Sequence, residues 1–226
     1  MIEVGPQHRE VVDLDASGTA HIFDRSCGRC DVCQLGWSVW CEQMGEGRAL
    51  CSIPTQLSVS FATAMLMATS ALMVANLDGS AVVAVFSPLG DEALFRLVQL
   101  VHRGTVVATS DLRDPVFKSY IAGISVTGRP DAIVTVSGGR DAVMAVKRGG
   151  IVCLANSVAD MPSVTELAQR EVRVLGPRDL SAVVEFIGRK QVEDAFNIGI
   201  SHVEIGVLKR QDLVRGKWKG SGENGS

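Results

Sequence analysis

Apolar and polar positions divide the chain into two kinds of block. Between residues 80 and 156, short continuous apolar runs alternate with segments of helical period. Ser80–Phe86 reads as an apolar strand. Leu89–Gly104 follows as a helix with Leu94, Leu97, Val98 and Val101 on one face. Thr105–Ser110 predicts the next strand and Pro115–Ala122 a helix. Asp131–Ser137 predicts a third strand, Arg140–Lys147 a short helix and Gly150–Ala155 a fourth strand. Strands that are apolar throughout, separated by helices, predict an α/β fold with a parallel sheet covered on both faces. Upstream, Glu10–Leu14 and His21–Phe23 read as short strands and 27–41 as a cysteine-bearing loop. Residues 42–56 read as loop, around Gly45, Gly47 and Pro54, and 57–77 as a helix rich in Ala, Met and Ser. Downstream, Glu171–Leu175 predicts a strand, Asp179–Arg189 a helix, and His202–Lys209 a further helical stretch, followed by Val214–Trp218. The Gly- and Ser-rich Lys219–Ser226 reads as a disordered or appended tail.

Composition narrows the class without naming a function. At 226 residues the chain can bury a core of its own, and 46% hydrophobic against 21% charged residues argues against general disorder. A net charge of −3 gives no support for a nucleic-acid or membrane-surface partner. The N-terminus lacks the basic-then-apolar run of a secretory signal. The longest uncharged apolar stretch, Phe61–Leu77, carries Thr, Ser and Asn and sits at the short limit for a membrane span. The expectation is a cytoplasmic protein that binds neither nucleic acid nor membrane.

Four of the six cysteines fall in one short loop: Cys27, Cys30, Cys33 and Cys41. Two-residue gaps let successive thiolates converge on one centre, and a more distant fourth closes a tetrahedron. In a reducing compartment such a cluster reads as metal ligands rather than disulfides. Four thiolates make a closed zinc site, one that holds structure and leaves no position for water or substrate. Iron–sulfur ligation is the competing metal reading. Cys153, inside an apolar run, reads as a small core residue, and Cys51 also stands apart from the cluster.

The whole loop Ser26–Glu42, with Trp37 and Trp40 between its third and fourth cysteines, resembles the structural-zinc lobe of zinc-containing alcohol dehydrogenases, in the medium-chain dehydrogenase/reductase superfamily. Glu3-Val4-Gly5-Pro6 resembles the segment preceding that lobe. Asp78–Phe86 resembles the entry into the dinucleotide-binding strand. Asp131–Gly139 and Lys147–Ala155 resemble later elements of the same sheet, and Arg173–Gly176 with Asp179–Arg189 the last strand and helix. The resemblance spans about residues 3–218, with large deletions. It implies a layout of 1–56 as a remnant of the GroES-like catalytic domain, 57–190 as a reduced Rossmann-like domain, 191–218 as a C-terminal return segment and 219–226 as tail. It also implies a structural zinc on Cys27, Cys30, Cys33 and Cys41, and a homodimer, or association with a homologue, through Glu171–Leu175.

The departures from the family set the functional expectation. The family's first two catalytic-zinc ligands, a cysteine and the histidine of a Gly-His-Glu triplet, lie upstream of the lobe, beyond where this sequence begins. A third would fall in Phe61–Leu77, which contains no Cys, His, Asp or Glu. The resemblance therefore implies a chain without catalytic zinc. The phosphate turn reads Ser87-Pro88-Leu89-Gly90-Asp91-Glu92, so the three fingerprint glycines become Ser87, Leu89 and Glu92. Side chains and acids stand where a pyrophosphate needs bare backbone amides, and Pro88 removes a donor. Ser87 and Gly90 of this turn, Ser137 in the loop that faces the nicotinamide in the family, and Asp111 at a strand end remain the cofactor-binding candidates. Asp111 fits a ribose acceptor and fits a strand-end turn acid equally well. A separate acid/base site drawn from His8, Asp13 or His21 has no spacing rule behind it. The expectation is a non-redox enzyme or a non-catalytic partner protein, with an NAD(P)-dependent reductase that works without catalytic zinc as the alternative.

Overall fold

A computed structural model describes residues 19–87, 92–155 and 162–205. The strand expected at Glu10–Leu14, the turn around Gly90 and the segments beyond 205 lie outside those residues.

The elements in chain order are β1 (Ala20–Ser26), α1 (Asp31–Gln34), a single 3-10 turn (Ser38–Trp40), β2 (Met44–Ile53), α2 (Val59–Val74), β3 (Val82–Phe86), α3 (Glu92–Val101), β4 (Thr105–Thr109), α4 (Pro115–Ile124), β5 (Ala132–Thr135), α5 (Gly139–Ala145), β6 (Ile151–Leu154), α6 (Val164–Arg170), β7 (Arg173–Leu175), α7 (Leu180–Ile187) and α8 (Arg189–Ile205). β1 and β2 form an antiparallel pair, and the other five strands form one parallel sheet in the order β4-β3-β5-β6-β7. That order is 2-1-3-4-5 within the sheet, the six-stranded Rossmann order with its outer strand missing. Only α4 connects β4 to β5, which lies directly beside β3.

The expected double cover is present. Val83, Val85, Ala132, Val134, Ile151 and Cys153 face one core with α2, α3, α7 and α8. Val82, Ala84, Phe86, Ile133, Val152 and Leu154 face a second core with α4 and α5. Successive strand residues point to opposite faces, so a run of apolar positions feeds both layers. α2 lies deep in the first core: Ala62, Met65, Leu66, Ala68 and Ala71 are buried, and Thr69 satisfies its hydroxyl on Met65 O at 2.8 Å. Among the described residues no helix is long and apolar enough to cross a membrane.

Three elements differ from the sequence expectation. Residues 42–56, expected as loop, contain the ten-residue strand β2. Its glycines serve the pairing: a Cβ on Gly45 would stand 2.6 Å from Ser26 O, and Gly47 at φ +85° sits where the β1–β2 register shifts. α6 was not anticipated. Ser163 caps it by accepting from Glu166 N, and the Glu166 carboxylate accepts in return from Ser163 N, a capping box. The helix expected over Asp179–Arg189 breaks at Gly188 (φ +95°) and restarts as α8, which buries Val192, Ala195 and Phe196 against α3 and β2.

Glu193 ties α8 to β2. Its Oε1 accepts from Ser52 N at 2.7 Å and from Arg189 Nε at 3.0 Å. Burial pushes this carboxyl up, but the Ser52 amide and the Arg189 guanidinium outweigh burial and hold it below the usual range. A depressed carboxyl contributes stability that is present above its unfolded value, about 4.3, and lost as pH falls through its folded value. Glu193→Gln should cost about 1 kcal/mol at neutral pH and flatten part of the acid limb of stability. Denaturant melts of both proteins between neutral pH and about pH 3 check this; superimposable pH profiles would contradict it.

Candidate functional site

The cysteine loop forms a compact metal centre. Gly28, at φ +69°, turns the chain between the first two cysteines. Cys30 caps the one-turn helix α1, and Cys33 lies three residues on, so both thiols sit on one side of that turn. The 3-10 turn then returns the chain and delivers the buried Cys41. The four Sγ atoms all lie within 4.8 Å of one another. The separations are 3.5 Å for Cys30–Cys33, 3.6 Å for Cys27–Cys41, 3.7 Å for Cys30–Cys41 and 3.9 Å for Cys27–Cys33. A tetrahedron with zinc–sulfur bonds of about 2.3 Å has edges of about 3.8 Å. The thiols therefore fit one tetrahedral ion. An iron–sulfur cluster spreads its four thiolates over two or four irons, so thiolates on different irons stand farther apart than this.

The electrostatics suit a thiolate site. The backbone amides of Arg29 and Cys30 hold the Cys27 thiol down to about 6, the latter over 3.3 Å. Burial and its neighbouring thiols push Cys33 up to about 12. One thiolate thus forms readily, and a bound cation would supply the charge that deprotonates the others. Among the described residues this is the one group of three or more His, Cys, Asp or Glu placed to hold a metal ion.

The lobe is fastened to the α/β layer at 177–179. Val39 N donates to Arg178 O at 2.9 Å, and Trp40 Nε1 donates to Pro177 O at 3.1 Å. The Arg178 guanidinium lies over the Trp37 ring, 4.1 Å from its centroid. From the other side, the buried Ser70 of α2 accepts from Arg178 N at 3.1 Å and Asp179 N at 3.0 Å. Asp179 then caps α7 by accepting from Ser181 N and Ala182 N. Arg178 and Ser70 were not among the sequence candidates; the two tryptophans between the cysteines were the available signal.

A second candidate region lies where the strand order reverses, at the C-terminal ends of β3 and β5, the usual ligand crevice of such sheets. Ser87, at the end of β3, is buried and donates its amide to Thr109 O at 3.1 Å. Ser137 is half-buried, with its amide on Thr135 Oγ1 at 3.1 Å and its carbonyl accepting from the same hydroxyl. Gly138, at φ +71°, passes so close to Phe86 that a Cβ would stand 2.6 Å from the ring. Asp111 is exposed at the end of β4, where its Oδ1 accepts from Arg113 N at 2.8 Å in a turn. Arg113 reaches on to Asp141 of α5 at 2.9 Å. The structure thus gathers Ser87, Asp111 and Ser137 along one sheet end, while Gly90 lies outside the described residues. Glu92, the first residue of α3, is 8% exposed, so a carboxyl is buried in the turn of helix nearest the phosphate position.

No family model and no curated protein matches this chain. Solved structures do. An acetophenone reductase from Geotrichum candidum, in complex with NAD, is 15% identical, with 88% of this chain and 71% of that one covered at a TM-score of 0.50. An alcohol dehydrogenase from Thermus sp. ATN1 is 16% identical, covering 87% and 75% at 0.51. An alcohol dehydrogenase from the archaeon Aeropyrum pernix is 17% identical, covering 84% and 73% at 0.51. The chain shares the fold of these dehydrogenases.

Cys30→Ser should lower bound zinc from about one equivalent per chain to a small fraction, because binding energy in such sites is folding energy. It should also lower the melting midpoint by several degrees. Metal analysis of reduced, freshly purified protein checks this. Wild-type protein without zinc, or a Cys30→Ser protein that retains a full equivalent, would contradict it.

Proposed function

We propose that this chain is a divergent relative of the zinc-containing alcohol dehydrogenases, a zinc-stapled α/β scaffold that does not run their zinc-dependent alcohol oxidation. It acts as a non-redox enzyme or as a non-catalytic partner protein. The observation that carries the reading is the buried carboxyl of Glu92 in the first turn of α3. In dinucleotide-binding folds this helix end receives the pyrophosphate through bare backbone amides. A buried acid in that first turn puts a side chain where the resemblance implies a glycine, and so crowds the helix end that two phosphates would need to approach.

Two further facts support it. α2, where the family resemblance would place a third catalytic-zinc ligand, contains no Cys, His, Asp or Glu. The four cysteines that do converge would complete a zinc shell among themselves, which leaves no open position for a substrate oxygen. When bound, the ion supplies cross-linking of the lobe. The side chains around it position that lobe on segment 177–179.

The second reading, a zinc-independent NAD(P) reductase, is favoured by Asp111 at the end of β4, beside the crevice. The two readings part on cofactor binding. Titration of the protein with NADH and NADPH, followed by tryptophan fluorescence, should show no saturable change up to about 1 mM. Micromolar binding of either would overturn the proposal in favour of the reductase. Glu92→Gly is the informative variant, since an opened helix end should gain affinity for the dinucleotide.

A further inference from the structure

The opposite end of the sheet carries a cavity that the crevice chemistry does not use. It has a volume of about 450 Å³ and opens beneath the N-terminal ends of the strands. Val83, Ala132, Ile151 and Arg173 form one row across β3, β5, β6 and β7. At about 4.8 Å per strand step, that row places Arg173 about 14 Å from the β3 end. Ile151 and Arg173 of that row line the cavity, together with Val82 and Asp131, the neighbours of the other two.

Its two ends differ in chemistry. Toward β3 the apolar side chains of Leu77, Ile124 and Val126 line it between Ser80, Ser125 and Thr127, with Ile124 39% exposed and Val126 fully exposed. Midway, Asp131 is committed. Its Oδ2 accepts from Val82 N at 2.7 Å and its Oδ1 pairs with Lys147 Nζ at 2.5 Å. Lys147 is thereby neutralised while keeping donors to spare. Arg173, at the β7 end, is exposed and has no carboxylate partner among the described residues, whereas its neighbour Arg148 is paired with Glu171. Asp78 stands on the rim at the β3 end and is bound up with Ser80, whose amide and hydroxyl it accepts.

We propose that this cavity binds a linear carboxylate of medium chain length. The acid group sits on the Arg173 guanidinium within reach of Lys147, and the alkyl chain covers Ile124 and Val126. A guanidinium takes a carboxylate through two parallel hydrogen bonds. Asp78 repels an anion from the other end, so the two charges fix one orientation. The volume falls in the range of small-molecule sites, and the apolar wall is the surface such a chain would remove from water. This site is separate from the crevice and does not rest on the functional reading above.

The test is a titration of the intact protein with octanoate, followed by backbone amide shifts. Saturable shifts should centre on Val82, Asp131 and Gly149. Butyrate should bind at least about tenfold more weakly, because each buried methylene is worth about fourfold. Arg173→Gln should weaken octanoate about tenfold, and Val126→Asp should weaken it while leaving the fold intact by its amide spectrum. Three results would each overturn the proposal: no saturable shift at about 10 mM octanoate, shifts centred on Ser87 and Ser137, or an Arg173→Gln protein that binds octanoate as the wild type does.

Discussion

Segment 177–179 is gripped from two sides. On one side the cysteine lobe supplies the Val39 amide, the Trp40 indole and the face of Trp37. On the other, the buried hydroxyl of Ser70 accepts two successive amides from the middle of α2. This joint sits between the end of β7 and the cap of α7, so it positions the last strand and the helix that closes the first core. The lobe is too small to hold itself by apolar burial; Leu35 is 71% exposed and Trp40 48%. Its shape depends on the four sulfurs converging. The hold on 177–179 from the lobe side therefore depends on the same convergence, while the Ser70 side depends on the core.

The sheet above this joint has two ends with different fates. Its C-terminal end keeps the layout of a nucleotide crevice, yet its groups are engaged with one another: Ser137 with Thr135, Asp111 with Arg113, Arg113 with Asp141. The buried Glu92 places an acid in the first turn of α3, beside that crevice. At its N-terminal end, Ile124 and Val126 face water, and Arg173 has no carboxylate partner among the described residues.

Much of this was legible in the sequence, for identifiable reasons. The cysteine loop was readable because metal geometry is local: one ion imposes short spacings on its ligands. The parallel strands were readable because burial on both faces makes them apolar throughout. β2 was not, because Gly45 and Gly47 carry the signal of a loop while serving close pairing and a register shift. α8 was obscured by its mixed composition, although Val192, Ala195 and Phe196 hold the helical spacing. α6 is marked in the sequence by Ser163 and Glu166, spaced as a capping box, with little apolar periodicity beside them. The joint at 177–179 lay beyond any local pattern, since Trp40 and Pro177 stand 137 positions apart.

The central claim is that the metal lobe braces segment 177–179. Amide hydrogen exchange, measured before and after zinc is removed by a chelator, tests it most directly. The account predicts that exchange at Val39 accelerates by about tenfold or more on metal removal, that Arg178 and Asp179 accelerate less because Ser70 still accepts their amides, and that Val83 and Val134 in the sheet keep their protection. Unchanged exchange at Val39, Arg178 and Asp179 in protein shown to have lost its zinc would contradict it.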